Sequence, residues 1–489
     1  MTEMQAGANY RTVALIIACG LFMQNLDTTV LATALPTMAH DFGVPLTGIS
    51  LALTSYLLAL SIFIPASGTI ADRFGARRVF QAAIGLFTFG SIACGFSHSL
   101  TTLVVARFVQ GIGGAMMVPV GRLVLLRSVA KRDLVSAISW LAMPAMIGPI
   151  LGPPVGGAIV TYLDWPWIFW INVPMGLLGI VMVGKFIQDV GATDDVRFDG
   201  LGFVLCGVAL SAAVFGLQLA SHPGHAPVAA ALLAISVAGV VAYIFHARRA
   251  PRPILDLGLL GVPTFRLSVI GGTLMRITQG AQPFLLPMLM QVAFGLSAAA
   301  SGSITVATAI GSFAMKSVVG RVLRRFGFRS ILTAVGLLAP LVFALTGLFR
   351  PNWPWAAIIA VLLVYGFLTS LQFSAYNTIA YDEIDQRRMS AATSFYSTFQ
   401  QVALSLGVCA AASSLSLSLA ISGHAQPQFG DFSIAIWAVA AISLTAIFVN
   451  PRFHHAAGAE MAGRTVPLSP ARPKADGPDR VDQSSSLGM

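Results

Sequence analysis

Gly68-Thr69-Ile70-Ala71-Asp72-Arg73-Phe74-Gly75-Ala76-Arg77-Arg78 and, 252 residues later, Gly320-Arg321-Val322-Leu323-Arg324-Arg325-Phe326-Gly327-Phe328-Arg329 are two versions of one short segment. Gly, Arg, Phe, Gly and Arg recur at matching offsets, and each copy lies between two long apolar runs. Glycine supplies the left-handed backbone a tight turn needs, and the arginines favour an anionic membrane surface. The copies are eight apolar runs apart, which predicts two six-run halves separated by an inserted pair.

Working outward, the apolar runs continue along nearly the whole 489-residue chain. With 56% hydrophobic and 10% charged residues, too little polar surface exists to keep the molecule in water. A membrane-spanning helix needs about 20 predominantly apolar residues. Fourteen spans are expected, near 12–34, 47–67, 79–97, 100–121, 135–162, 166–187, 200–220, 227–246, 268–291, 299–319, 329–349, 354–380, 390–413 and 431–449. The expected fold class is an all-α polytopic membrane protein. Its parts are a cytoplasmic N-terminus at 1–11, a six-helix bundle at 12–190, an accessory helix pair at 191–250, a second six-helix bundle at 251–450 and a disordered cytoplasmic tail at 451–489.

Charge placement orients these spans, because Lys and Arg gather in cytoplasmic loops. With the N-terminus inside, the internal loops hold nineteen Lys and Arg, whereas the external loops hold only Arg350. The net charge of +10 therefore reports topology and implies no nucleic-acid partner. Ala32-Thr33-Ala34 resembles a signal-peptide cleavage site, but the run before it is long and carries Gln24, Asn25 and Asp27. Cys19, Cys94, Cys206 and Cys409 lie far apart inside spans, and the eight histidines fall in loops, the tail or span ends. That pattern predicts neither a disulfide framework nor a metal site, and no nucleophile–base constellation points to an enzyme.

Further motifs narrow the reading. Leu26-Asp27-Thr28-Thr29-Val30 leads to Ala34-Leu35-Pro36; Arg107-Phe108-Val109-Gln110-Gly111 lies within span 4; Gly148-Pro149, Gly152-Pro153 and Gly156-Gly157 follow in span 5; Trp167 to Asn172, Pro174 and Gly176 and then Phe198-Asp199 complete the set. On these motifs and the duplicated loop, the chain resembles the major facilitator superfamily over roughly residues 10 to 450, specifically its fourteen-span drug/proton antiporter family. Gly111 to Val118 and Phe284 to Gln291 look closest to enterobacterial-type multidrug exporters. Pro166 stands where the family usually has a basic residue, and Arg324 replaces the counterpart of Asp72. The resemblance implies a major facilitator fold with 14 transmembrane helices in a bacterial inner membrane, both termini cytoplasmic. It further implies efflux driven by the proton gradient with no cofactor, a small-molecule substrate and protons as partners within membrane lipid, a periplasmic adaptor protein as an additional candidate partner, and a monomer.

An ionisable group inside a span is expensive and marks a functional site. Asp27 is the one acid at such depth, and Arg107 in span 4 lies at a similar level. Burial favours a neutral carboxyl and a nearby guanidinium favours an ionised one, so relative motion of this pair is a device for taking up and releasing a proton. A static ion pair that fixes helix packing is the competing reading. Arg276, with Gln279 and Gln282 at helical spacing, forms a candidate substrate stripe for an anionic group; Asn377 and Gln400 are added as cavity-lining candidates. Lys316, in the inner half of span 10, is expected to snorkel to the cytoplasmic surface. Asp72, Arg73, Gly75 and Arg77 form one expected gate, and Gly148, Pro149, Gly152, Gly156 and Gly157 in span 5 another. The expected activity is proton-coupled export of hydrophobic or amphipathic molecules by alternating access. Export of an organic anion through Arg276 and proton-coupled import of a nutrient are the alternatives.

Overall fold

The computed structural model describes residues 10–461 apart from 45, 188–197, 221–224, 252, 297 and 425–426. The expected boundary near 191 and the tail beyond 461 lie outside the described residues. Seventeen α-helices account for the described chain, and no strand occurs among its described residues. The first half comprises α1 (Tyr10–Asp41), α2 (Leu46–Phe63), α3 (Ser67–Phe74), α4 (Ala76–Gly95), α5 (Leu100–Ser128), α6 (Leu134–Tyr162), α7 (Trp167–Trp170) and α8 (Asn172–Phe186). An antiparallel pair follows, α9 (Gly200–Ala220) and α10 (Ala226–Ala247). The second half comprises α11 (Pro263–Met288), α12 (Ala298–Lys316), α13 (Val319–Phe326), α14 (Phe328–Thr346), α15 (Trp355–Ile379), α16 (Met389–Ser422) and α17 (Phe429–Leu444).

Each expected span coincides with one helix or a broken pair. Ten helices are long and apolar enough to cross a membrane, and twelve count if each bent pair is one span. The two remaining expected spans are occupied by α6, only part of which is described in side-chain detail, and by α11, which carries Arg266 and Arg276. The breaks fall just before the duplicated loops: α2 and α3 meet at 61°, α12 and α13 at 62°. Pro65 accounts for the first, since it cannot donate a backbone hydrogen bond; the second forms without a proline at Ser317-Val318. Gly75 and Gly327 end the two short helices with φ of 87° and 78°, so the repeated glycines occupy backbone that other residues rarely adopt.

The packing repeats as the sequence does. In the first half α1 packs on α6, α2 and α4 on α5, and α4 and α1 on α8; in the second, α11 packs on α16, α12 and α14 on α15, and α14 and α11 on α17. The inserted pair leans on both halves, with α9 against α2 and α16. At the end bearing the duplicated loops, one apolar cluster contains residues of both halves, among them Phe80 and Leu123 with Phe265 and Phe395. At the opposite end each half has its own cluster, around Leu26 and Phe169 in one and around Ile277 and Phe432 in the other. The described conformer is thus closed at the loop end.

The expected tail begins later than 451. Phe453, Ala457 and Met461 recur at a spacing of four and are buried, and the Gly458 N–H donates to Asp382 Oδ2 at 2.7 Å. Burial of these three apolar side chains docks the segment against the second half.

Candidate functional site

Three helices bring polar side chains to one buried point in the first half. Asp27, near the middle of α1, is 3% exposed and Arg107, about two turns inside α5, is fully buried. The Arg107 Nη1 donates to Asp27 Oδ2 at 2.6 Å and to Gln110 Oε1 at 2.7 Å. The other carboxylate oxygen, Oδ1, accepts from Gln110 Nε2 at 2.9 Å and from Asn172 Nδ2, on α8, at 3.0 Å. Asn172 donates also to Ser91 Oγ at 3.0 Å, and Ser91 donates to the Phe169 carbonyl at 2.9 Å. The Arg107 guanidinium lies 4.5 Å from the centre of the Tyr56 ring, a distance at which the ring face attracts a cation.

A buried ion pair of this kind is retained only when further hydrogen bonds satisfy the ions. Asp27 meets that condition, with three donors on two oxygens. Arg107 meets it in part: its Nε and Nη2 have no hydrogen-bond partner among the described residues, and neither has the Tyr56 hydroxyl. The guanidinium thus keeps two buried nitrogens without a hydrogen-bond partner among the described residues.

The residues of the expected loop gate make the following contacts. Asp72 accepts from Arg127 Nη2 at 2.9 Å through Oδ1 and from the Ser390 hydroxyl, across the halves, through Oδ2. Arg77 donates to the Gly184 carbonyl, while Arg73 is exposed beside the Phe74 ring. Ser394 donates to the Ile64 and Pro65 carbonyls, and a side chain at Gly68 would collide with the Ser390 carbonyl. In the expected span 5 gate, side chains at Gly148 or Gly152 would run into Asn25, Leu26 and Thr29 of α1, and Gly156 is buried. Pro149 and Gly157 belong to α6, but their surroundings lie outside the described residues.

In the second half the expected stripe does not form as a unit. Arg276 Nη1 turns back to the Gly272 carbonyl of its own helix at 3.0 Å, and Gln282 donates to Thr308 Oγ1 on α12 at 3.1 Å; Gln279 is half-buried. Gln400 and Asn377 do meet, through Gln400 Nε2 and Asn377 Oδ1 at 2.8 Å. Lys316 differs from the snorkelling expectation. It is 5% exposed, and its ammonium donates to Ser374 Oγ at 2.8 Å. The sharp bend after α12 turns the chain before this side chain reaches the surface.

Sequence reasoning missed Tyr56, Ser91 and Asn172 as partners of the ion pair, and Arg122 as a cross-half contact. Neutral polar residues inside apolar runs carry a weaker signal than charges do. Gln110, one turn after Arg107, was legible in principle from its i+3 spacing. Arg122 reads as a loop residue by count, yet it donates to Gln400 Oε1 at 3.2 Å and Tyr381 OH at 3.5 Å from inside α5.

The sequence profile described as Major Facilitator Superfamily matches residues 17–408. A protein of Escherichia coli O6:H1 named for multidrug resistance, MdtD, is 36% identical over 442 residues, covering 90% of this chain and 92% of that one. The protein of the same name in Serratia proteamaculans is 40% identical over 399 residues, covering 80% and 82%. Among solved structures, the human organic anion transporter MFSD10 superposes with a TM-score of 0.66 at 14% identity, covering 91% of this chain and all of that one. A double-tryptophan variant of XylE gives 0.65 at 14% identity, covering 93% and 98%. At that identity the two structures speak to the fold alone.

Proposed function

Since this chain belongs to the Major Facilitator Superfamily of membrane transporters, we propose that it is a proton-coupled exporter of amphipathic small molecules in a bacterial inner membrane, with fourteen spans and both termini cytoplasmic. The observation that carries the reading is the buried Asp27–Arg107 contact, shared with Gln110 and Asn172 across α1, α5 and α8. The MdtD relatives, named for multidrug resistance, supply the substrate class.

A proton arriving from outside neutralises Asp27 and removes the charge that holds Arg107. The guanidinium then leans on Gln110 and the Tyr56 face, using its unspent donors, and α5 is released from α1 and α8. Because α5 also carries Arg122 and Arg127, its displacement loosens the cross-half bonds to Gln400 and Tyr381 and the clasp on Asp72. The loop end opens, the proton leaves to the cytoplasm, and substrate entering from that side resets the cycle. Each charge that crosses the membrane is worth roughly 2.3 kcal/mol per 100 mV. One proton exchanged for a monovalent cation is electroneutral, whereas one proton exchanged for a monovalent anion moves two charges per cycle.

Direction is tested in intact cells by following accumulation of ethidium and of a fluorescent amphipathic carboxylate, either of which reads the direction. An exporter lowers the internal level of the probe it carries, and a protonophore restores it. Raised accumulation on expression would instead establish an importer.

A further inference from the structure

Three cations lie buried around two aromatic rings where the halves meet. The Arg276 guanidinium is 5.4 Å from the Phe373 ring centre and 5.3 Å from that of Tyr396. Lys316 Nζ shares the Phe373 ring at 5.6 Å, and the Arg122 guanidinium shares the Tyr396 ring at 5.8 Å. All three are at most 9% exposed. Their hydrogen bonds go to neutral groups: the Gly272 carbonyl, Ser374 Oγ, Tyr381 OH and Gln400 Oε1. Among the described residues no carboxylate pairs with any of them, in contrast to Arg107. Arg276 Nη2 and the Tyr396 hydroxyl, both buried, have no hydrogen-bond partner there at all.

Burying three basic groups together away from water is unfavourable, and ring faces offset only part of that cost. The cations come from α5 in one half and from α11 and α12 in the other, and Phe373 and Tyr396 belong to α15 and α16. An anion bound among them would therefore touch both halves, as a transported substrate must.

We propose that Arg122, Arg276 and Lys316 form an anion-binding site, and that the transported molecule carries a carboxylate on an apolar body. Arg276 presents its unpartnered Nη2 and Tyr396 its hydroxyl to the carboxylate, in the charge-assisted geometry guanidinium groups favour. The rings of Phe373 and Tyr396 take the apolar part. Arg122 is the cross-half member: an anion that draws it away from Gln400 and Tyr381 weakens the closure at the loop end, linking occupancy to opening. The inference rests on the reading of this chain as a transporter whose substrate passes between the halves.

The test uses purified full-length protein in neutral detergent at fixed pH and ionic strength. Thermal unfolding is followed against benzoate, succinate and tetraphenylphosphonium, with chloride as the salt control. The expected result is a saturable rise in unfolding temperature with at least one carboxylate, its apparent affinity falling at least tenfold in Arg276→Gln and recovering partly in Arg276→Lys. Val237→Ala, exposed on α10 and outside the cluster, retains the response. Arg122→Gln and Lys316→Met provide the same readout should Arg276→Gln not fold. Two results would overturn the site: a carboxylate response equal to wild type in every folded variant, or stabilisation of wild type by tetraphenylphosphonium alone, which would leave the exporter reading intact. Carboxylate binding without carboxylate-driven proton flux in proteoliposomes would keep the site and overturn the coupled-transport reading.

Discussion

Replacing Arg107 by Ala leaves the Asp27 carboxylate buried with only neutral donors, and breaking a buried pair from one side costs about 3–5 kcal/mol. Asp27→Asn strands the guanidinium in the same way, although the Tyr56 ring still faces it. Asp27→Asn/Arg107→Gln removes both charges and keeps polar partners for Gln110 and Asn172. The double variant is expected to unfold at a higher temperature than Arg107→Gln or Asp27→Asn; midpoints that fall additively would mean that the two side chains are not coupled. At this scale the sequence exposes charges well and neutral partners poorly. Asp27 and Arg107 were legible because ionisable groups stand out in apolar runs. Ser91 and Asn172 were not, since an isolated Ser or Asn in a span is as compatible with a local backbone bond as with a site. Lys316 and Arg122 misled because both lie near span ends, where a long side chain normally reaches water.

Gly75 and Gly327 carry the elemental repeat. Each sits where a short amphipathic helix ends and the next span begins, at φ of 87° and 78°. Gly75→Ala and Gly327→Ala are each expected to destabilise by about 1–3 kcal/mol, the range for a side chain forced into such backbone. Gly302→Ala is the control: this glycine lies inside α12, and a methyl group added to it would meet open space, so stability should be unchanged or higher by about 0.5–1 kcal/mol. Unfolding midpoints of the three variants separate these outcomes. The positions of the elements were legible because apolar length is so strong a signal. Their breaks were less so: Pro65 announces the first bend, but nothing in Ser317-Val318 announces the second. Nor does composition show that α1, α5 and α16 run on well past the apolar core, since helix continues wherever no breaker intervenes.

Over the whole molecule, a common apolar cluster at the loop end and separate clusters at the other define one state of a two-state machine. The closure is reinforced by Ser390 on Asp72 and by Ser394 on the Ile64 and Pro65 carbonyls. Each such bond contributes about 0.5–1.5 kcal/mol net, so Ser390→Ala/Ser394→Ala should shift the equilibrium several-fold towards opening at that end. Spin labels replacing exposed Phe74 and Gln386, in a background lacking the native cysteines, would report a larger population of long distances. An unchanged distribution would show that the two serine bonds do not hold this end shut. The two-half plan was legible from the duplicated loop; which end is closed was not, because both copies of a repeat read the same in either state.

The claim on which the mechanism depends is that Asp27 carries the coupling proton. The direct measurement is substrate-driven proton flux in proteoliposomes, set beside substrate exchange across the same membranes without a proton gradient, for wild type and Asp27→Asn. The account predicts that Asp27→Asn loses proton flux while exchange persists. Proton flux at the wild-type ratio to substrate in Asp27→Asn would contradict it, reducing the Asp27–Arg107 pair to a packing element and placing the coupling group elsewhere.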